Sequence, residues 1–413
     1  MMIPLILSAL AQAAPAAQSF DPVAATDAYL GTISGAARMR SDAYFEGGYW
    51  LVLWNAIVGI GIAWGLLHTG IVARLSQKAG RWSGRRRAVG TLLFVILYLL
   101  VTSVVTLPWS IYVGWLREQQ YGMSNQTLAE WLGEWLTGTA IGTILGGLAL
   151  LAILTLYRKL PRSWWAWGTL VSGVFLLVGL LLGPVFIQPL FNRYTPMPAS
   201  PLRTQILQMA QANGVPTDNV LVVDASRQTK RISANVAGVG PTVRVALNDN
   251  LLNRTSPPDV RAVMGHELGH YVLGHSVSLL IGFTLIAGLF LLVLDRATPW
   301  LVRRFGDRWR IAGRDDPAIV VPATIVASVL ALLLTPVTNS LIRFHEMQAD
   351  YFGINTSRAP DGWARVALKL GEYRKLEPGA LEEIVFFDHP SGRTRILMAM
   401  RWKAHHLGEP DVR

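Results

Sequence analysis

Six apolar stretches, each long enough to cross a bilayer as a helix, constrain this chain more than any other feature. They are expected near Trp50–Val72, Thr91–Leu116, Leu136–Leu156, Trp164–Leu190, Val277–Leu294 and Ala318–Leu341. Spanning a hydrocarbon core takes about 20 helical residues, and within it only helices or closed barrels satisfy their own backbone polar groups. Aromatic rings that favour the headgroup zone gather at the ends of the runs, at Trp50, Trp115, Trp135, Tyr157, Trp164 and Trp165. The composition agrees, because 52% hydrophobic and 15% charged residues make the chain too apolar for an ordinary soluble globule. The expected fold is therefore mainly α, a polytopic helical membrane protein.

The polar connections alternate in charge. "ARLSQKAGRWSGRRR", "RKLPRS" and "RRFGDRWRIAGR" fall on one side of the membrane, and "REQQYGMSNQTLAEWLGEW" on the other. The positive-inside rule makes the three basic loops cytoplasmic. That places Arg193 to Ser276, and the chain after Arg343, on a periplasm-like side. The net charge of +11 finds its counter-charge in anionic membrane lipids, since no nucleic-acid motif accompanies the basic residues. The absence of cysteine excludes disulfides, Cys-ligated zinc and thiol nucleophiles. Residues 1–19, "MMIPLILSALAQAAPAAQS", carry a short apolar run from Ile3 to Ala11 and small residues at Ala11 and Ala13, the pattern of a secretory signal. An integral protein of a bacterial inner membrane with a periplasmic catalytic side is the expectation.

The organisation that follows is a signal-like segment 1–19, a region 20–193 with four membrane helices, an insert 194–276, two further membrane helices over 277–342, and a C-terminal part 343–413. In the insert, "PLRTQILQMAQANGV" has a helical stripe of Leu202, Ile206, Met209 and Ala210 that Gly214 ends. "NVLVVDAS" and "TVRVALND" read as strands, so a small α/β unit is expected there. "SPPDVRAVMGHELGHYVLGH" opens with a serine cap and prolines in the first turn, which puts its histidines on a helix.

On that helix His266 and His270 stand one turn apart on one face, so both rings can reach one ion at ~2.0–2.1 Å. Glu267, beside them, is placed to take the proton of a water that zinc acidifies, and to pass it to a leaving amine. The competing reading is two structural histidines that share a face by chance. Three ionisable side chains next to a membrane span are costly without a metal or a water-filled cavity, which favours zinc. A catalytic zinc needs a third protein ligand. His275 comes five residues after His270, whereas the metzincin pattern needs a histidine six after, so that class fails. A glutamate on a later helix is the other common solution, and "NSLIRFHEMQADYFG" offers Glu346.

From about Tyr44 to Ile396 the chain resembles the type I CAAX prenyl endoprotease family of integral-membrane zinc metallopeptidases. "HELGH" is similar to the family's zinc helix and "NSLIRFHEMQAD" to its N-x-x-S-R-x-x-E-x-x-A-D helix, with Ile342 in place of the serine. The resemblance implies one Zn2+ per chain, on His266, His270 and Glu346, supported by Asp350, Asn339 and Arg343. "FDHPSGRTRI" is similar to the family's H-P-x-x-x-x-R-I segment, which implies that His389 and Arg395 donate to the developing oxyanion. The plain alternative for Arg395 is a salt bridge or a lipid contact. "SANVAGVG" resembles the family's edge strand, in which Asn235 and Ala237 would pair with an extended substrate. The implied fold is a ring of membrane helices around a water-filled chamber; familiar members have seven spans and this chain shows six.

The expected function is a zinc-dependent membrane endopeptidase acting on peptide or protein substrates, with prenylated C-terminal CAAX-type and membrane-associated proteins as the candidate classes. One rival is an intramembrane protease of the site-2 type, which embeds H-E-x-x-H inside a span. Pro257, Asp259, Arg261 and the polar strands before His266 argue instead for a separate soluble unit. A rival of another class is a non-proteolytic membrane chaperone or scaffold, against which the complete set of acid, base and ligand residues counts.

Overall fold

A computed structural model describes residues 20–84, 86–238, 242–409 and 412; the signal-like segment 1–19 lies outside the described residues. A short helix α1 (Pro22–Gly31), capped by Asp21, precedes the first long helix α2 (Gly35–His68). The amphipathic α3 (Ile71–Trp82) follows, then α4 (Arg87–Ile111), which passes through a π turn into α5 (Arg117–Gln120). Next come α6 (Leu128–Lys159), opened by a Thr127–Glu130 capping box, and α7 (Trp164–Leu182). After the insert run α11 (His275–Trp309) and α12 (Val320–Ser357). Among the described residues, six helical stretches have the length and apolarity to cross a membrane, Gly35–His68, Arg87–Gln120, Leu128–Lys159, Trp164–Leu190, His275–Trp309 and Pro317–Ser357. Each contains most or all of one expected span, and most run past it because helix propensity does not stop where hydropathy does.

The insert contains β1 (Tyr194–Pro196), α8 (Pro201–Ala212), β2 (Val220–Val223), β3 (Ala234–Ala237), β4 (Arg244–Asn248), α9 (Asp249–Arg254) and α10 (Pro257–Val272). The strands form one sheet in the order β1-β2-β4-β3, with β2 and β4 parallel and both outer pairs antiparallel. The C-terminal part adds α13 (Pro360–Leu370), α14 (Ala380–Phe386) and α15 (Gly392–His405). Its α15 packs on α13 and on α1, so the two ends of the described chain close one unit.

Buried apolar side chains collect at the two ends of the bundle. One cluster, with Ile206, Val245, Leu247, Met264, Ile354, Trp363 and Ile396, is the core of the sheet-containing unit. A second, with Leu67, Val72, Phe94, Tyr98, Leu154, Trp164, Trp309 and Val321, joins the far ends of α2, α4, α6, α11 and α12 to α3. A small third cluster around Val243 and Leu268 belongs to the first unit. The far end is also tied by Ser76 to Asp316 and by Arg158 to Thr91. All three basic connections lie there, opposite the H-E-x-x-H helix, as the charge alternation requires.

Candidate active site

The helix that carries the histidines starts where the sequence places it. Asp259 accepts from the Ser256 N–H at 3.0 Å, Pro257 occupies the first turn, and Arg365 donates to Asp259 at 2.8 Å. This α10 crosses α12 through small residues on both sides, Gly265 and Gly269 against Gly353 and Ala349. The crossing brings a glutamate on one helix against two histidines on the other. His266 Nε2 lies 3.2 Å from Glu346 Oε2, His270 Nε2 lies 3.3 Å from Glu346 Oε1, and the two Nε2 atoms are 3.0 Å apart.

This triangle fits a metal. A tetrahedral ion with bonds of ~2.0–2.1 Å has ligand–ligand edges of about 3.3–3.4 Å, close to the edges seen here. The charges agree: Glu267, Glu346, Asp350 and Asp388 gather around Arg374 and Arg395, and four carboxylates against two guanidiniums leave an excess that a divalent cation cancels. Burial disfavours the charged form of His266, yet Asp350 and Glu346 raise it to about 10, so the site draws positive charge.

A second layer orients the three side chains of the triangle. His266 Nδ1 lies 2.8 Å from Asp350 Oδ1, which turns Nε2 toward the centre. His270 Nδ1 lies 3.0 Å from His275 Nδ1, so the histidine rejected as a ligand is the group that orients one. Arg395 is buried, with Nη2 3.2 Å from Glu346 Oε2 and Nε 2.9 Å from Asp350 Oδ2. Its fork thus joins the third ligand to the carboxylate behind His266.

His389 Nε2 lies 3.1 Å from Glu346 Oε2, and its Nδ1 lies 2.7 Å from Asp388 Oδ1. Burial lowers the pKa of His389, and the Asp388 hydrogen bond opposes that by favouring the imidazolium. Asn339 and Arg343 do not touch the triangle. Asn339 donates to Val385 O at 2.8 Å and Arg343 to Glu383 O at 2.6 Å, which fastens α14, and the His389 segment after it, to α12.

The triangle opens into a cavity of about 160 Å3 lined by Ser233, Ala234, Glu267, Tyr373, Arg374 and His389, among others. Burial holds the Glu267 carboxyl above its ordinary range. The outer strand β3 begins at this cavity with Ala234, and its phase follows from the Asn248 N–H to Ser233 carbonyl bond. Antiparallel pairs alternate between bonded and non-bonded, so Asn235 and Ala237 direct their main-chain groups to β4. Ala234 and Val236 turn theirs to the open edge. Asn235 and Ala237, the expected substrate contacts, thus have their main-chain groups engaged by β4, and the groups at the open edge lie one residue away, a matter of register that periodicity alone does not fix.

Two further groups carry no sequence signal. Arg374, in "EYRKLEP", places Nη2 3.5 Å from His389 Nε2 and leaves a buried Nη1 without an acceptor among the described residues. Asp388 precedes His389 but only the fold shows that it turns back on the ring. Six membrane-length helices among the described residues and a His2Glu triad, its histidines on the α/β unit and its glutamate on the last of those helices, define an integral multi-pass membrane metallopeptidase.

Comparison with known proteins agrees. Residues 25–193 match the CAAX prenyl protease N-terminal domain, described as five membrane helices, and residues 196–403 match peptidase family M48. The chain belongs to peptidase family M48. It is 29% identical over 344 residues to the uncharacterized metalloprotease YhfN of Bacillus subtilis (strain 168), covering 82% of this chain and 80% of that one. It is 30% identical over 279 residues to the CAAX prenyl protease 1 homolog of Arabidopsis thaliana, covering 66% and 64%. In fold it resembles the crystal structure of S. mikatae Ste24p, with a TM-score of 0.71 at 20% identity over 92% of this chain and 94% of that chain.

Proposed function

We propose that the chain is a zinc endopeptidase that cuts extended segments of membrane-associated proteins inside a hollow bundle of helices. The observation that carries this reading is one cavity lined by His266, Glu267 and Glu346 of the site and by Ser233 and Ala234, where the open-edged β3 begins. Zinc, when held by His266, His270 and Glu346, supplies a Lewis acid that polarises the scissile carbonyl and acidifies water. Glu267 takes the proton of the attacking water and returns it to the leaving amine, and its raised pKa suits both halves of that task. Burial disfavours the charged form of His389 and the Asp388 carboxylate at Nδ1 opposes that, so that the protonated ring would donate from Nε2 to the developing oxyanion. Arg395, engaged by two carboxylates, acts by holding Glu346 and Asp350 in place. The peptide lies along β3 and bonds to the main chain of Ala234 and Val236.

The hollow interior is supported by the packing. Apolar burial is concentrated at the two ends of the bundle, and the most apolar window of Trp164–Leu190 buries none of its residues. A C-terminal CAAX-type substrate, prenylated or not, is supported by the names of the relatives. Placement of the basic connections opposite the triad supports a bacterial inner membrane with a periplasmic site.

The test is Glu267→Gln. Metal analysis should find one zinc retained, while cleavage of a quenched fluorescent peptide falls by about 10²–10⁴-fold. Native membranes should yield trapped substrate on this variant, and farnesylated against unmodified peptides should separate the two substrate classes. Unchanged cleavage would overturn the mechanism.

A further inference from the structure

At the end of the bundle away from the triad, the α3–α4 turn, the end of α6 and the loop before α12 enclose a cavity of about 230 Å3. Its walls include Ser83, Arg87, Thr91, Arg158 and Asp315. Arg158 serves neither the catalytic site nor an ion pair among the described residues. Its Nη1 donates to Thr91 Oγ1 at 2.7 Å, which fixes the guanidinium plane. The other edge, Nε–H and Nη2–H, is buried and meets no hydrogen-bond acceptor among the described residues. Two parallel N–H groups on one edge form the fork that takes two oxygens of a phosphate. A buried charged fork without acceptors is costly, so the geometry calls for an oxyanion.

The surroundings suit one. The cavity has the volume of roughly seven or eight waters at ~30 Å3 each, enough for a phosphate group. Arg87 lines it as a second cation, and its pairing with Asp315 is loose, at 3.6 Å between largely exposed side chains. The other nearby acid, Asp316, is already occupied, because Oδ1 accepts from Ser76 Oγ and the Ala318 N–H and Oδ2 from the Ala312 N–H. Depth in the membrane is marked by Tyr157 and Trp164 beside the site, with Arg314 stacked 3.9 Å over the Tyr157 ring, a headgroup-level arrangement.

We propose that this cavity binds the phosphate of an anionic phospholipid headgroup. The Arg158 fork, sealed from water in this structure, must turn toward the cavity to take two oxygens, with Arg87 closing over a third. The bound headgroup then ties the α3–α4 hairpin to α6 and to the start of α12.

The experiment uses the full-length protein, delipidated in a glycoside detergent. It is titrated with phosphatidylglycerol, with a glucosyl diacylglycerol of the same chains that lacks phosphate, and with inorganic phosphate against chloride at matched ionic strength. Phosphatidylglycerol should raise the unfolding temperature by a few degrees and remain as one retained molecule in native mass spectrometry; the glycolipid should do neither. Arg158→Lys, which keeps the charge and loses the fork, should weaken the apparent affinity at least about tenfold. Arg87→Gln, at an exposed position that tolerates change, should weaken it several-fold and carries the test if Arg158→Lys does not fold. An equal shift with inorganic phosphate retains the site and assigns it to a soluble phosphate. No shift with either phosphate source, or a shift that survives both substitutions, overturns the proposal.

Discussion

Gly265 and Gly353 meet backbone to backbone: a Cβ on Gly265 would lie 2.6 Å from the Gly353 carbonyl oxygen, and one on Gly353 2.6 Å from the His266 amide nitrogen. The distance between the two ligand-bearing helices is set by the absence of two side chains. Glu346 reaches both histidines because α10 and α12 can approach this closely.

Gly353→Ala should therefore separate the helices, since the opposing atoms are main chain and cannot rotate away. We expect a loss of about 1–3 kcal/mol in unfolding stability and a metal content well below one per chain. Gly142→Ala on α6, where nothing lies within 4 Å, is the control and should be neutral or slightly stabilising. Full metal occupancy in Gly353→Ala would disprove the role given to the crossing.

Asp350 holds His266 on one side and Arg395 on the other. Asp350→Asn keeps the shape and removes the charge, and metal affinity should fall by about 10–100-fold in competition with a chelating dye. Glu267→Gln should leave that affinity within a few-fold of the wild type.

Asp388→Asn tests whether the carboxylate at Nδ1 helps His389 to donate from Nε2. Turnover should drop by about tenfold with little change in KM, because the interaction strengthens only as charge develops. Equal kcat in the two proteins would remove His389 from the oxyanion role.

Acid stability should involve Glu377. Burial would raise its carboxyl, but hydrogen bonds from Arg38 and Arg393 outweigh this and hold it below the usual carboxylate range. A depressed native pKa stabilises the fold above the unfolded value, near 4.3, and that contribution is lost as pH falls through the native value. The group is about a third exposed, so the gain is at most about 1 kcal/mol. Melting curves of wild type and Glu377→Gln in detergent should differ at pH 7 and converge toward pH 3.

Hydropathy and helical spacing made much of this molecule legible. The spans are long local signals, and His266, Glu267 and His270 are one turn of one helix. Glu346 was reachable because its motif is also local. The phase of β3 was not, since it depends on which of two registers β4 imposes. Asp388 and Arg374 are ordinary charged residues until α13, α14 and α12 fold around His389. The pairing of α1 with α15 joins residues at opposite ends of the chain and leaves no local periodicity to read.

His266 and His270 emerge from the ribosome well before Glu346, which sits on the last membrane helix, and before His389 and Arg395, which follow it. A chain not yet extended to residue 346 holds Glu267 and the two histidines proposed as ligands but neither Glu346 nor His389. On the proposed mechanism such a chain cannot cut until the last membrane-length helix and the segment after it have been made.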